Sequence, residues 1–235
     1  MKKCAVIGSK GFLGSALAKK LGETTTFPTN ETKYLFHFGS PVHPPFEENP
    51  DYHLNEIISS YTYLLPYCRD HQIKFIYPSS ALVYEKDTNF TKTKLITEIM
   101  ASMYPKTLGL RIFPVYGPGE TRTVIYQWCK AMKNGQRPVV YGDGTQERDF
   151  IYIDDAVNQI LRLVESVTTG VRDIGCGSPI SFNQIILIIN TLLKTDLKPI
   201  HVDAPKDYSK GIVCKDRGEC PTSIIYGIGK VLDSI

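Results

Sequence analysis

Residues 4–21, CAVIGSKGFLGSALAKKL, constrain the fold more than any other stretch of the chain. The apolar run Cys4–Ile7 breaks at Gly8, glycines recur at Gly11 and Gly14, and an amphipathic pattern follows in Phe12, Leu13, Leu17 and Leu21. This reads as strand, tight turn and helix, with a G-x-x-G-x-x-G fingerprint at the turn. Glycine meets three demands there: a positive φ, close approach of bare backbone to a pyrophosphate, and close packing of helix on strand. The helix N-terminus then offers unbonded N–H groups and partial positive charge to an anion. A glycine triplet alone is weak, but here it follows a strand and opens a helix, the context for dinucleotide binding. Gly8, Gly11, Phe12, Leu13 and Gly14 are therefore expected to cradle the pyrophosphate.

Downstream, strand-like and helix-like segments alternate, which argues for an α/β fold on a parallel sheet. Strands are expected at Cys4–Ile7, Tyr34–Phe38, Lys74–Tyr77, Leu108–Ile112 and Val171–Ile174. Helices are expected at Phe12–Leu21, Leu54–Asp70, Lys92–Met103, Thr123–Lys133, Asp154–Glu165 and Phe182–Leu193, with Asp154 and Ser181 as N-caps. Loops rich in Pro and Gly fall at 39–50, 114–119, 135–144 and 175–179. The segment GETTTFPTNETK, from Gly22 to Lys33, is short for its place. A full dinucleotide fold sets a second strand there, ending in a carboxylate that holds the ribose hydroxyls. Thr24–Phe27 can be that strand, but no carboxylate closes it, with Asn30 or Glu31 as the available substitutes.

The 235 residues suit one compact unit or one with a small appended lobe. A net charge of +3, without any long Lys/Arg run, argues against nucleic-acid binding and is compatible with an anionic small substrate. The six cysteines form no C-x-x-C pair and have no matching histidine cluster, so they read as thiols in a reducing compartment rather than as disulfides or a metal site. After Met1-Lys-Lys comes the glycine turn and not an apolar signal segment, an expectation of a cytoplasmic protein. The longest apolar stretch, Ile185–Leu193, is broken by Asn190 and too short to span a bilayer.

Several later blocks resemble the extended short-chain dehydrogenase/reductase family, the NAD-dependent nucleotide-sugar epimerases and dehydratases. The block Tyr34-Leu-Phe-His-Phe-Gly-Ser-Pro41 is similar to the family's fourth strand and its cofactor-contacting turn, and SPVHPPFEENP (40–50) is similar to UDP-glucuronate decarboxylases. FIYPSSALVY (75–84) resembles the family strand ending in Ser-Ser-x-x-Val-Tyr, and LRIFPVYGPGE (110–120) resembles its Arg-x-x-Asn-Val-Tyr-Gly-Pro-Gly block. VVYGDGTQERDFIYIDDA (139–156) matches the substrate-lobe signature almost throughout, the most specific of the set. The overall flavour is that of the UDP-glucuronate decarboxylase and UDP-glucose 4-epimerase branch.

The resemblance implies a doubly wound, Rossmann-like parallel sheet, trimmed in its adenosine half, with a small C-terminal α/β substrate lobe. An NAD lobe would span 1–113 and 154–180, and a substrate lobe 114–153 and 181–235. It implies NAD as cofactor, with NADP left open, and a UDP- or dTDP-sugar as substrate. It also implies a homodimer through the helices Leu54–Asp70 and Lys92–Met103. Phe38, Gly39, Ser40, Lys94, Pro114 and Val115 would join the glycine turn in holding the cofactor; Ser80, Arg122, Tyr141 and Arg148 would meet the substrate. Arg148 corresponds to the family arginine that grips the diphosphate, a task for which the guanidinium fork is suited.

The family's chemistry uses a Ser/Thr, a Tyr and a Lys, the last two in a Y-x-x-x-K turn that puts both on one helix face. The Lys lowers the Tyr pKa, and the phenol exchanges a proton with a sugar hydroxyl while hydride moves to or from the nicotinamide. Here Ser80 and Lys94 fall at their positions, but Phe90 falls at the Tyr position. The loop Tyr84–Phe90 is short, the helix Asn of the relay is replaced by Ile57 with Asn55 nearby, and Pro114 replaces the Asn of the Arg-x-x-Asn block. Ala81-Leu82 stand where carboxylates serve decarboxylation or dehydration, so both reactions lose support. Tyr126-x-x-x-Lys130 and Tyr226-x-x-x-Lys230 share the spacing in the wrong order and read as helix-face pairs. Tyr84 and Tyr116 are better placed but read as core or pocket-lining residues. Two functions follow: an epimerase-like or reductase-like nucleotide-sugar enzyme in which another group or a water takes the proton, or a homologue that binds the same ligands without turnover.

Overall fold

The computed structural model describes residues 3–40, 48–166, 169–205, 208, 211–215 and 217–235. The chain divides into two compact units, Met1–Ile112 with Val157–Asp173, and Phe113–Ala156 with Ile174–Ile235.

The first unit is built on a six-stranded sheet. Its strands are β1 (Cys4–Ile7), β2 (Thr24–Thr25), β3 (Tyr34–His37), β4 (Lys74–Ser80), β5 (Thr107–Ile112) and β10 (Gly170–Ile174), in the order β10-β5-β4-β3-β1-β2. The pairs β1–β2, β1–β3, β3–β4 and β4–β5 are parallel, and the register runs Val6 to Phe36, Phe36 to Ile76 and Ile76 to Leu108. Ala5, Val6, Leu35, Phe36, Phe75, Ile76, Leu108 and Leu110 are buried. Such near-continuous apolar runs are what a sheet needs when both its faces are covered.

Three helices follow these strands: α1 (Phe12–Leu21), α2 (Pro50–Asp70) and α3 (Asn89–Ser102). The Asn49 side chain accepts from the Tyr52 amide and Pro50 opens α2, so this helix starts before the predicted Leu54. A reciprocal capping box between Thr88 and Thr91 starts α3 at Asn89 instead of Lys92. Tyr61, Leu64 and Leu65 of α2 and Phe90 of α3 pack on Phe75 and Tyr77 of the sheet in one buried cluster. The strand predicted at Thr24–Phe27 is confined to Thr24–Thr25, and Phe27 is exposed. Of the loop predicted at 39–50, residues 41–47 lie outside the described residues, and with them most of the decarboxylase-like block.

In the second unit lie α4 (Val124–Lys133), α6 (Phe182–Leu193) and α7 (Ile224–Asp233), the last unpredicted; α5 (Ile153–Ser166) begins at the edge of this unit. Because α5 opens at Ile153, Asp154 lies inside its first turn and is not the expected N-cap, whereas Ser181 does cap α6 through a capping box with Gln184. Trp128 meets Phe182 edge to face at 5.0 Å, and Ile125, Ile185, Ile189, Ile228 and Val231 are buried with them. Three strand pairs complete the unit: β6 (Val115–Tyr116) with β9 (Ile151–Tyr152), β7 (Val139–Tyr141) with β12 (Ile200–Val202), and β8 (Glu147–Arg148) with β11 (Ile180–Ser181).

The cysteine expectation is corrected here. Cys176 and Cys220, 44 residues apart, form a disulfide, while Cys4, Cys68, Cys129 and Cys214 are buried thiols. The spacing hid the pair because the fold, not the local sequence, brings the two segments together. Among the described residues, no helix is long and apolar enough to cross a membrane, and no cluster of His, Cys, Asp or Glu could hold a metal ion.

Candidate active site

The glycine turn lies between β1 and α1 in the first unit. Gly8 has a φ of +85°, and a Cβ there would stand 2.5 Å from the Gly39 nitrogen. A Cβ on Gly14 would stand 2.2 Å from the Gly8 carbonyl oxygen. Both residues are therefore glycine because backbone meets backbone, the first at β3's end and the second at the turn itself. Gly11 differs: its amide donates to Gly8 O at 3.0 Å, it is exposed, and nothing approaches a Cβ there closer than 3.4 Å.

Gly11 is the N-cap of α1, with no side-chain hydrogen bond to the cap and no acidic residue in the first turn. The opening amides of a helix have no intrahelical acceptor, and here no side chain of the cap or first turn competes for them. Bare amides, a partial positive charge and a glycine surface fit the pyrophosphate of a dinucleotide. Phe12 and Leu13, half-buried, carry two of those amides.

Phe38, Gly39 and Ser40 follow β3 directly, and Phe38 is fixed by its amide bond to Ile7 O at 2.8 Å. Lys94 reaches this loop from α3: its ammonium, with the residue only 4% exposed, donates to Ser40 Oγ at 2.7 Å. Burial pushes that ammonium down to about 8. Phe90, one turn earlier, is buried in the apolar cluster with its ring centre 5.4 Å from the Lys94 nitrogen. The structure thus brings Ser40, Phe90 and Lys94 together. Ser80 ends β4, half-buried, where its Oγ accepts from the Leu82 amide at 3.2 Å. It caps the short 3-10 turn Ala81–Tyr84.

Behind Ser80 the sheet holds a polar network the sequence did not announce. Arg111 forks onto Glu98 at 2.9 and 2.6 Å, and Ser79 donates to the same carboxylate. Tyr84 is exposed, its ring stacked under the Arg111 guanidinium and its hydroxyl donating to Asp173 at 2.8 Å. That phenol is pushed up, chiefly by burial, so it is held protonated and is no activated base. Tyr116, in the second unit, is fully buried as expected of a core residue. In the two displaced Tyr–Lys pairs each lysine lies over its own tyrosine ring, at 6.0 Å for Lys130 and 5.4 Å for Lys230.

Pro114 and Val115 also lie in the second unit, where Pro114 O accepts from Ile151 and Val115 pairs with Ile151 in the β6–β9 ladder. Arg148 sits on β8 with its guanidinium 5.3 Å from the Phe182 ring centre and 5.5 Å from that of Tyr208. Tyr208 lies 5.3 Å from Tyr141, so Arg148, Tyr208 and Tyr141 form one aromatic–cationic patch. Tyr208 escaped the sequence reading because nothing in the tail around it repeats a motif. Arg122 is half-exposed and tied to the buried Glu120 through its own amide at 2.6 Å. Next to Arg148, Asp149 is completely buried and accepts from the amides of Cys176, Gly177, Ser178 and Cys214.

Protein CapI of Staphylococcus aureus is 34% identical to this chain over 140 residues, 50% of this chain and 42% of that protein. The chain spans about half the length of the curated relatives it matches, 42% and 58% of two of them. Among solved structures it is similar in fold to UDP-N-acetylglucosamine 4-epimerase from Methanobrevibacter ruminantium, solved in complex with UDP-N-acetylmuramic acid, with a TM-score of 0.88 at 20% identity over 99% of this chain and 97% of that one. A Tyr-to-Phe variant of UDP-glucuronic acid 4-epimerase from Bacillus cereus, in complex with UDP-4-deoxy-4-fluoro-glucuronic acid and NAD, gives 0.87 at 20% identity over 99% and 98%. The family model that matches residues 24–177 is the NAD-dependent epimerase/dehydratase family; the match takes in the blocks at 34–41, 75–84, 110–120 and 139–156 and begins after the glycine turn and α1. By that match, the chain belongs to the NAD-dependent epimerase/dehydratase family.

Proposed function

We propose that this chain is an enzyme of nucleotide-sugar metabolism, epimerase-like or reductase-like, that acts on a UDP- or dTDP-sugar by transient hydride transfer at the sugar ring. The observation that carries the reading is the glycine cradle at Gly8, Gly11 and Gly14 under the uncapped start of α1. Bound NAD supplies the hydride acceptor. The first unit holds it, with the amides of Phe12 and Leu13 on the pyrophosphate, the bare surface of Gly8, Gly11 and Gly14 beneath it, and Phe38, Gly39, Ser40 and Lys94 alongside. Pro114 and Val115 are its remaining contacts by family resemblance. In the second unit, Arg148 grips the diphosphate, with its guanidinium already oriented between two rings; Tyr141 and Tyr208 flank the base and Arg122 assists. Ser80 donates to the reacting hydroxyl.

The fold-related Bacillus cereus protein, a Tyr-to-Phe variant, was solved holding both NAD and a nucleotide sugar. A tyrosine lost to phenylalanine is thus compatible, in that protein, with both ligands bound. Phe90 favours the second reading, a homologue that binds both ligands without turnover. Exposed Tyr63 on α2 and Leu95, Ile96 and Ile99 on α3 support a homodimer through those helices.

Calorimetric titration with NAD and with a panel of UDP- and dTDP-sugars, followed by product analysis, tests the reading. Binding of both with interconversion of a sugar supports the enzyme; binding of both without conversion supports the second reading. Binding of neither refutes both.

A further inference from the structure

Lys94 has lost the tyrosine that the family pairs with it, yet it remains buried with a charge to place. Its ammonium bonds Ser40 Oγ at 2.7 Å, and among the described residues no carboxylate forms an ion pair with it. The carboxylate of its own helix, Glu98, is one turn on and is taken by Arg111 and Ser79. From β3, His37 faces it as a neutral imidazole, pushed down to about 4 by burial first and by the Lys94 charge second. The phenols of Tyr61 on α2 and Tyr77 on β4, which interact with Glu98, are pushed up by burial and so stay protonated. The Phe90 ring centre lies 5.4 Å from the Lys94 nitrogen. Among the described residues no carboxylate is left to balance the ammonium, and burial favours the amine. The position is fixed on both sides: α3 delivers the nitrogen, and Ser40 follows Gly39, which packs against Gly8 of the cofactor turn.

We propose that Lys94, as the free amine, is the group that takes and returns the proton of the reacting sugar hydroxyl, in place of the phenol absent at position 90. This rests on the functional reading above. Oxidation of the secondary alcohol to a ketone breaks its C–H bond, whose electron pair leaves as hydride to the nicotinamide dinucleotide, and its O–H bond, whose proton passes to the amine. Lys94 becomes ammonium and Ser40 Oγ accepts one of its hydrogens. Reduction of the ketone from either face reverses the transfer and frees the amine again. A base is most effective when its pKa lies near the working pH, and burial brings the Lys94 group to about 8, into that range. An ordinary surface lysine, near 10.4, would be almost wholly ammonium and could not accept the proton.

The first test needs no turnover. In the full chain labelled with 15N-lysine, the Lys94 Nζ signal is assigned by its loss in Lys94→Arg and followed against pH. A midpoint at about 8 is expected. An ammonium that persists to about pH 10 overturns the proposal. Ser40→Ala removes the hydroxyl that accepts from the ammonium, so the midpoint moves down; an unmoved midpoint breaks the link between the two residues, and this variant stands in if Lys94→Arg does not fold. The second test follows reduction of bound NAD by a UDP-sugar. The rate rises with pH along the Lys94 titration. Lys94→Arg, a cation that cannot deprotonate, loses ~10²-fold or more in rate at saturating NAD, and its residual rate no longer rises with pH along the Lys94 titration. A rate profile that ignores the titration, or a Lys94→Arg chain as fast as the parent, overturns the proposal. If neither ligand binds, the functional reading and this inference fail together. If both bind and Lys94 stays charged, this inference alone fails.

Discussion

The place a Cβ would take on Gly14 lies 2.2 Å from the carbonyl oxygen of Gly8, so turn and helix touch through bare backbone. Gly14→Ala forces the two apart and should destabilise the chain by about 1–3 kcal/mol, read from urea unfolding. Gly11→Ala is the informative partner, because its Cβ meets nothing closer than 3.4 Å. That variant should keep its stability within about 1 kcal/mol. It should still lose about tenfold in NAD affinity, as the methyl stands over the amides offered to phosphate; unchanged affinity would move the cofactor elsewhere.

Phe90→Tyr puts a hydroxyl beside the Lys94 nitrogen, at a ring whose centre is 5.4 Å away. With Lys94 already moving the proton, reduction of bound NAD by the cognate sugar nucleotide should accelerate by no more than about tenfold at neutral pH, and a gain of ~10²–10⁴ would assign the proton transfer to the phenol alone. Because the ring lies in an apolar cluster, a hydroxyl without a partner would cost about 1–3 kcal/mol of stability. If the rate does not change, the missing phenol is not what limits turnover.

Lys94 also leaves a signature in stability. Its folded value of about 8 lies below the ordinary 10.5, so between those pH values the unfolded chain binds more protons and stability rises with pH. Below about pH 8 the cost of the buried ammonium is fully present, about 3 kcal/mol. Lys94→Met should be the more stable protein at pH 7, by about 1–3 kcal/mol, with the gap closing towards pH 10.5. The difference between the two chains cancels the buried thiols and phenols that titrate in the same range. Equal stability at all pH values would contradict this account.

His37 acts at the acid end. Burial takes it from 6.5 to about 4, so the unfolded chain gains a proton first as pH falls and the native state weakens across that window. Its ring lies 5.4 Å from Tyr61 and 5.9 Å from Phe75, an environment suited to an apolar ring. His37→Phe should therefore unfold at lower pH than the parent, as circular dichroism against pH would show.

Arg148 lies between the rings of Phe182 and Tyr208. Lys in its place keeps the charge but neither forks onto a diphosphate nor stacks. Arg148→Lys should weaken UDP-sugar binding by about 10- to 100-fold while leaving NAD affinity unchanged. Equal loss for both ligands would argue for damage to the fold.

The parallel sheet was legible because buried strands announce themselves as apolar runs and the glycines mark the first turn. Helix starts were less so: Asn49 and Thr88 move two of them upstream, since capping residues sit outside the periodic pattern. The α7 helix was hidden in a tail that reads as featureless. The pairing of Ser40 with Lys94 and the Glu98–Arg111 fork are separated by 54 and 13 residues, contacts that only the fold creates. The phenylalanine at position 90 was visible from the family pattern, but its consequence for Lys94 needed the burial and the neighbours.

Asp149 gathers amides from residues 176–178 and from Cys214, and the Cys176–Cys220 bond staples the same two stretches. A preparation made under dithiothreitol loses the covalent staple and keeps the carboxylate, with the Gly218–Gly175 backbone bond beside it. Deuterium uptake at those four amides should then quicken relative to an air-oxidised sample, while the β1–α1 turn exchanges at the same pace in both. Any comparison of ligand affinities between laboratories will need the thiol content of the buffer stated beside the salt.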